Sequence, residues 1–350
     1  MIEKQLWHPV IASTQVRDVP VGVELLGEAV VLWREPGHDG GHGVVHAWAD
    51  RCPHRGAKLS LGRVLHHLRG TRLECPYHGW QFAGDAAAAH SDSACARCVH
   101  VPAAPEFVAP VGHAATPYEA RESSGLVWVR LAQPEHSLPV PLAEPPVFEP
   151  WQKSDWRQLL CGPYEVNTSA PRLVENFLDL SHFGFVHEGW LGARSHAQVE
   201  TGQVEESEAG LQANACKAWQ PRGYAGVDGG AWVNYRYTVP HPFAAILRKD
   251  AAEGDPVSNA IALFIRPDGA DRCTAWFAMA TLGDLADDES LREFQDTVFA
   301  QDRPVVESQR PKRLPIGKDG KVAEVHGPAD RMSSAYRRYL MRLKVVLGVC

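Results

Sequence analysis

The sequence predicts an α+β protein of two domains, and three observations predict it. Short β-rich runs fill the first third of the chain. Six prolines then crowd residues 134–150, at 134, 139, 141, 145, 146 and 150. After them, strand-like runs alternate with helical patterns, including a long amphipathic stretch at 287–309. A chain of 350 residues is long enough for two cores, and repeated proline blocks helix and central strand, which favours an extended connector. We place the first domain at 1–140, the connector at 141–155 and the second domain at 156–350.

The first domain reads as a small antiparallel β unit. Val21–Trp33 carries turn residues between β-rich runs, Gly43–Ala49 alternates, and Gly125–Leu131 reads as a buried closing strand. Gly37–Gly43 reads as a Gly/His-rich turn and Asp85–Asp92 as a low-complexity loop. Between these strands lie Cys52-Pro53-His54 and Cys75-Pro76-Tyr77-His78. One Cys and one His on each of two loops can hold one iron through sulfur and the other through nitrogen, which is the ligand set of a Rieske [2Fe–2S] centre. A Cys2His2 zinc site uses the same residues, but it usually pairs its ligands by type. Gly56 and Gly79 follow closely and would let backbone approach the cluster sulfurs. His66 and His67 fall in the insert between the loops and read as an exposed hairpin tip.

Composition excludes several classes. The chain has 35 Lys and Arg against 42 Asp and Glu, a net charge of −7. No long basic run marks a nucleic-acid partner. Met1–Val10 has no apolar signal-peptide core, and no apolar run is long enough to span a membrane, so a cytoplasmic protein is expected. Eight Cys in a chain of this size do not read as a disulfide framework. Cys95 and Cys98 form a C-x-x-C with no second pair nearby. No G-x-G-x-x-G follows a strand, so the chain is not expected to bind NAD or FAD itself.

In the second domain, Trp156–Val166, Ala231–Val239, Asn259–Arg266 and Cys273–Thr281 read as strands. Pro171–Val186 reads as a helix with Pro171 near its start. Lys312–Ala329 reads as loop, and Arg331–Val346 as a surface helix with a solvated Arg/Lys face. Asn176, Asp179 and His182 recur every third residue and share one face of the predicted helix. His187 lies about 140° off that face. Both His reach one metal only if the helix ends or bulges between them, and Gly184 would permit that. Two neutral His and one carboxylate make the facial triad of mononuclear iron. Glu293, Asp296, Asp302 and Glu307 are carboxylate candidates. Asp302 stands out slightly, because Pro304 would kink the helix beside it.

CPHRGAKLSLG, CPYHGWQF, ENFLDLSHFGFVH and QDRPVVESQ, with Trp7–Val10 and GLVWVRL, resemble Rieske non-haem iron oxygenases of the vanillate O-demethylase, dicamba monooxygenase and methylxanthine N-demethylase branch. The resemblance implies a Rieske β domain and a helix-grip catalytic domain, a curved antiparallel sheet around a long helix. It implies cluster ligands Cys52, His54, Cys75 and His78, and Fe(II) ligands His182, His187 and Asp302. Asp179 becomes the carboxylate that links this iron to a cluster His on a neighbouring subunit of a homotrimer. O2 is the implied co-substrate. Electrons come from NADH only through a separate reductase, with or without a ferredoxin. The implied reaction is hydroxylation or O- or N-demethylation of a small aromatic compound, with ring cis-dihydroxylation as the alternative. A Rieske electron carrier or sensor without oxygen chemistry is the alternative of another class.

For substrate contacts, the aromatic-rich strands around Trp232, Tyr235, Tyr237, Phe243, Phe264, Trp276 and Phe277 could line an apolar pocket on one face. Asn234 and Thr238 are the candidate polar contacts. Asn176 is either a pocket group or a helix-face amide. Arg248 and Arg266 lie near strand ends, where solvated arginines are the simpler reading.

Overall fold

A computed structural model describes residues 1–36, 43–67, 70–84, 96–134, 138–208, 210–221, 230–249, 258–284, 286–317 and 324–350. The turn expected at Gly37–Gly43 falls largely outside these residues, and the loop expected at Asp85–Asp92 and Cys95 lie wholly outside them. The chain divides into two compact units, Lys4–Glu135 on the one hand and Met1–Glu3 with His136–Cys350 on the other.

The first unit is all antiparallel. Six strands pair in the order His8–Ala12, Leu126–Arg130, Pro117–Ser123, Val44–Ala49, Glu28–Glu35 and Val21–Leu25. Five shorter strands, Arg63–Leu65, Arg72–Glu74, Gln81–Ala83, Ala96–His100 and Ala114–Ala115, form a second sheet. The closing strand Leu126–Arg130 is buried along its whole length, as its unbroken apolar run requires. One core of this unit gathers Trp33, Trp48, Leu59, Leu73 and Phe82 together with Cys52 and Cys75. Cys98 stands inside the strand Ala96–His100 and is buried. His66 and His67 are exposed beyond the strand Arg63–Leu65, as expected of a hairpin tip.

The second unit is built on an eight-stranded antiparallel sheet. Its path runs Arg157–Val166, Cys273–Leu282, Ser258–Pro267, Ala244–Lys249, Ala231–His241, Gly210–Gln220 and Val199–Glu200, with Gln203–Ser207 also paired to Gly210–Gln220. Four of these strands, at 199–200, 203–207, 210–220 and 244–249, carry alternation too weak or too short to be found in the sequence. A long helix, Asp288–Ser308, starts on an Asp287 cap that accepts from the backbone N–H of Ser290. Its buried residues Gln295, Phe299, Asp302 and Val306 recur at helical spacing and form one stripe. The architecture is therefore α+β, with a β unit followed by a long sheet and a long helix.

Four expectations are corrected here. The proline-rich connector is not extended, because Val140–Ala143 and Glu149–Gln152 are short helical turns that each accept proline at the start. Its Leu142 and Phe148 are buried in the second unit. The helix expected over 171–186 is two helices, Ala170–Leu178 and Phe183–Val186. The long helix runs on through Pro304, so Asp302 faces inward by its place in the buried stripe rather than by a kink. The closing helix ends at Arg342, and its basic face is solvated at Arg331, Arg338 and Arg342 but not at Arg337. Arg337 is buried and bonds both oxygens of Glu175, at 2.7 and 2.8 Å, and Glu324 at 2.6 Å.

Candidate metal centres and substrate cavity

The two loops of the first unit close in the same way. The Cys52 N–H donates to Ala57 O and Gly56 N–H to Cys52 O, both at 2.8 Å. The Cys75 N–H donates to Trp80 O at 2.8 Å and Gly79 N–H to Cys75 O at 3.1 Å. Each glycine sits four residues after its cysteine with a left-handed φ, 73° at Gly56 and 67° at Gly79. A side chain would be strained in that conformation. The turns bury both sulfurs and bring the His54 and His78 rings to 4.7 Å between centroids. Trp80 stacks flat on His54 at 4.4 Å and fixes its ring. Desolvation, then His78 and Arg55, hold the His54 pKa below its usual value, which keeps the imidazole neutral. Burial, with Cys75 alongside, pushes the Cys52 thiol up to about 11. A buried thiol that resists ionisation on its own, as Cys52 does, suits a positively charged metal that supplies the compensating charge.

The second centre lies where Ala170–Leu178 stops. Asp179 leaves the helix with extended backbone, and its Oδ1 accepts from the Ser181 N–H at 2.8 Å. One short helical turn, Phe183–Val186, then carries the chain from His182 to His187. Gly184 does not supply a bulge. It permits close approach, since a Cβ there would stand 2.9 Å from Ala193 O, while one at Gly192 would stand 2.6 Å from the Phe183 carbonyl carbon. Two backbones packed at glycines hold the turn that aims both His inward.

His182, His187 and Asp302 offer ligand atoms that all lie within 4.8 Å of one another. Nε2 of His187 is 3.2 Å and Nε2 of His182 is 3.5 Å from Asp302 Oδ1. The far nitrogens are held too. Nδ1 of His182 lies 3.0 Å from Asp179 Oδ2, and Nδ1 of His187 lies 2.8 Å from Gln301 Oε1. Each acceptor calls for a proton on Nδ1, leaving the Nε2 lone pair free for a metal. Asn176 donates to Asp302 Oδ1 at 3.3 Å and so belongs to the group. Burial opposes a charge on His187, but Asp302 and Gln301 outweigh it and raise its pKa above the usual value. A place that draws a proton onto a buried histidine is one that favours a cation. Two imidazole nitrogens and a carboxylate suit ferrous iron and leave positions for further ligands. The other acidic candidates are used elsewhere: Asp296 pairs with the Tyr164 hydroxyl, Glu307 accepts from the Asn167 N–H, and Glu293 is exposed. Gln301 was not found in the sequence, where nothing but its place beside Asp302 marks it.

A cavity of about 560 Å³ lies between the sheet and the long helix. Phe183 lines it, and the same ring packs edge-on against His182 at 5.1 Å and against His187 at 5.9 Å. Registered strand neighbours Leu247, Ile261 and Met279 form an apolar floor, and Leu291, Phe294, Gln295 and Val298 of the helix form the roof. Asn234 and Thr238 do not line it. Strand alternation puts them on the face opposite Tyr235, which does. Most of the aromatics singled out are core: Tyr237, Phe243 and Phe264 are fully buried, whereas Trp232 is 45% exposed. Arg266 is held by Asp268 at 2.6 Å and lies over the Trp276 ring. Arg248 lies over the Trp156 ring. A separate open polar cleft is lined by Asn176, Asp179, His182 and His326.

Two family models match the chain. The Rieske [2Fe-2S] domain matches residues 6–106, and the vanillate O-demethylase oxygenase C-terminal domain matches residues 166–345. Methylxanthine N1-demethylase NdmA of Pseudomonas putida is 31% identical over 97% of this chain and 89% of its own length. Methylxanthine N3-demethylase NdmB of the same organism is 29% identical over 98% and 90%. The solved structure of Pseudomonas putida CBB5 NdmA with caffeine has a TM-score of 0.77 at 29% identity, covering 97% of this chain and 91% of that one. Dicamba monooxygenase bound to dicamba shares the fold, with a TM-score of 0.75 at 22% identity and 97% of both chains covered. No described helix is long and apolar enough to cross a membrane. The reading as an electron carrier without oxygen chemistry gives way to these relatives, and the chain belongs to the Rieske non-haem iron oxygenases, as an oxygenase component of the vanillate O-demethylase family in the monooxygenase and demethylase branch.

Proposed function

We propose that this oxygenase hydroxylates or O- or N-demethylates a small aromatic or heteroaromatic compound held in the cavity beside Phe183. Cys52, His54, Cys75 and His78 would hold the [2Fe–2S] cluster, and His182, His187 and Asp302 the ferrous iron. The observation that carries the reading is the convergence of three ligands, two imidazoles and a carboxylate, on one point beside a largely apolar cavity. When bound, the iron supplies activation of O2, and the cluster supplies electrons one at a time.

The remaining work falls to side chains. Asp179 and Gln301 fix the two imidazoles in the ligating tautomer. Asn176 orients the Asp302 carboxylate. Phe183 and the apolar floor exclude water and hold a flat ring against the site. Asp179 is 29% exposed and faces the open polar cleft, so it is the group through which an electron donor outside this unit would reach His182. That supports its role as the bridge to a cluster on a neighbouring subunit of a homotrimer. A separate NADH-dependent reductase, with or without a ferredoxin, would charge the cluster. Demethylation balances as O2, two electrons, two protons and a methylated substrate giving water, formaldehyde and the demethylated product.

The test is turnover by anaerobically purified protein with a reductase, NADH and O2. Methoxy- and N-methyl-aromatic compounds are screened for stoichiometric formaldehyde release, and unmethylated ones for hydroxylation. Retained cluster reduction with no product from any such compound would overturn the reading.

A further inference from the structure

Two buried tyrosines stand close behind the iron ligands, and the reaction proposed above uses neither phenol. Tyr235 and Tyr237 are both buried, and Tyr235 lines the cavity. They are two residues apart on one strand, so both rings project from the same face. Phenylalanine would fill such a core without burying a polar group. The Tyr237 hydroxyl is buried and finds no hydrogen-bond partner among the described residues. A buried hydroxyl of that kind is costly, and natural interiors rarely keep one. A phenol in place of a phenyl ring is explained if its O–H bond is itself used.

The rings form a continuous line away from the metal position. Phe183 packs edge-on against both His182 and His187. Tyr235 packs edge-on against Phe183 at 6.2 Å between centroids, and Tyr237 lies 6.5 Å from Tyr235. Each step is the separation of a packed aromatic pair, short enough for a single electron to cross. The far end of the line has a way back. Burial first, then Tyr235, Cys216 and the Asp179 carboxylate, hold the Tyr237 pKa well above its usual value. The phenol therefore stays protonated, and it parts with an electron only together with its proton. Asp179, near enough to act on Tyr237, also lines the open polar cleft, from which an electron and a solvent proton return.

From this, and resting on the proposed function, we infer that Tyr235 and Tyr237 discharge the iron site when activated oxygen finds no substrate to react with. Oxygen reduced to the peroxide level still holds two oxidising equivalents, and each tyrosine supplies one electron and one proton against them. The peroxide O–O bond and both phenol O–H bonds break, so one hydrogen peroxide and two tyrosines give two waters and two neutral phenoxyl radicals. Two electrons from the cluster and two solvent protons then restore the phenols. Without this discharge the oxidant attacks the cavity wall, where Met279 offers a thioether that oxidises to the sulfoxide and Phe183 offers a ring.

The test adds hydrogen peroxide to anaerobic holoenzyme with both metal sites oxidised, in the absence of reductase and of any aromatic compound. Rapid freeze-quench EPR and optical absorption read the radical, and protein grown with ring-deuterated tyrosine identifies it. Peptide mass spectrometry measures oxygen added to Phe183 and Met279. Each variant is read at wild-type iron and sulfide content. The wild type is expected to show a tyrosyl signal that narrows with deuterated tyrosine. Tyr235→Phe and Tyr237→Phe should each lower its yield. The double variant should abolish it and at least double the oxygen added to the wall. Protein whose mononuclear iron has been removed by a chelator should give no radical. The inference is overturned if the wild type gives no tyrosyl signal, if the signal survives the double substitution or the loss of that iron, or if wall oxidation is the same in wild type and double variant. Because the radical is read without turnover, the two readings fail separately. A signal that needs both tyrosines and the iron, with no O2-dependent product from any aromatic compound, would sink the oxygenase reading and leave the discharge standing. Oxygenated product without any tyrosyl signal would sink the discharge alone.

Discussion

His187 and Gln301 meet at 2.8 Å between Nδ1 and the amide oxygen, behind the nitrogen that faces Asp302. The contact settles which ring nitrogen carries the proton and turns the other toward the metal position. His187 is 1% exposed, so water does not substitute for that acceptor. Gln301→Leu is expected to weaken iron binding by roughly 10- to 100-fold, the usual cost of losing a partner behind a metal ligand. Iron retention measured against a chelator checks this, and Gln301→Glu, which keeps an acceptor, should recover most of the loss.

Asp302 draws its environment from three directions, with both His at its Oδ1 and the Asn176 amide on the same oxygen. Asp302→Ala should lower iron from about three to about two per chain while acid-labile sulfide stays at about two. Metal analysis with EPR of the reduced protein checks this. An unchanged iron count would move the carboxylate ligand elsewhere.

Asp179 binds through both oxygens, one to the Ser181 N–H and one to His182. Desolvation works against its charge, but His182 and then Ser181 outweigh it and hold its pKa below the usual value. Asp179→Asn keeps the shape and removes the charge. Cluster content should be unchanged, and single-turnover product formation should slow by about a hundredfold. Turnover close to wild type would remove Asp179 from the electron route.

Glu324 joins Arg172 at 2.6 Å and Arg337 at 2.6 Å, and Arg337 continues to Glu175. Burial opposes the Glu324 charge, but the two arginines outweigh it and lower its pKa from the usual 4.5. A carboxylate with a lowered folded pKa contributes stability above its unfolded pKa and loses it as pH falls through the folded value. The wild type should therefore exceed Glu324→Gln in urea midpoint at pH 7, and the gap should close as pH drops below about 4.5. Arg337→Ala removes the hub and leaves the half-buried Glu175 with Arg172 at 3.9 Å, at a cost of about 2 kcal/mol at neutral pH.

Much of this was legible in the chain. Residue spacing alone placed Cys52, His54, Cys75 and His78 on two loops, because a cluster motif is local and its glycines enforce the turns. The strands at 258–267 and 273–282 were legible from apolar runs that burial on both faces demands, whereas 157–166, also read as a strand, is buried only at Leu159, Cys161 and Val166. The strand at 210–220 was not, because one face is polar and Ala215, with φ 58°, interrupts its alternation. Arg337 looked solvated like its basic neighbours on the last helix, because a sequence shows charge but not the Glu175 and Glu324 that meet it across the fold.

By itself the sequence, read through its resemblance, pointed to the proposed metal chemistry: the candidate ligands, their loops and the helix that carries Asp302. Only the tertiary structure decided which groups serve those ligands and which wall the substrate meets. The placing of Asp302 and Gln301 against His182 and His187 joins chain segments more than a hundred residues apart, and the glycine contacts at Gly184 and Gly192 depend on a close approach of backbones that no residue pattern displays. The same holds for the cavity. Strand register selected the Tyr235 face over that of Asn234 and Thr238, and a one-residue change of pairing would have exchanged them.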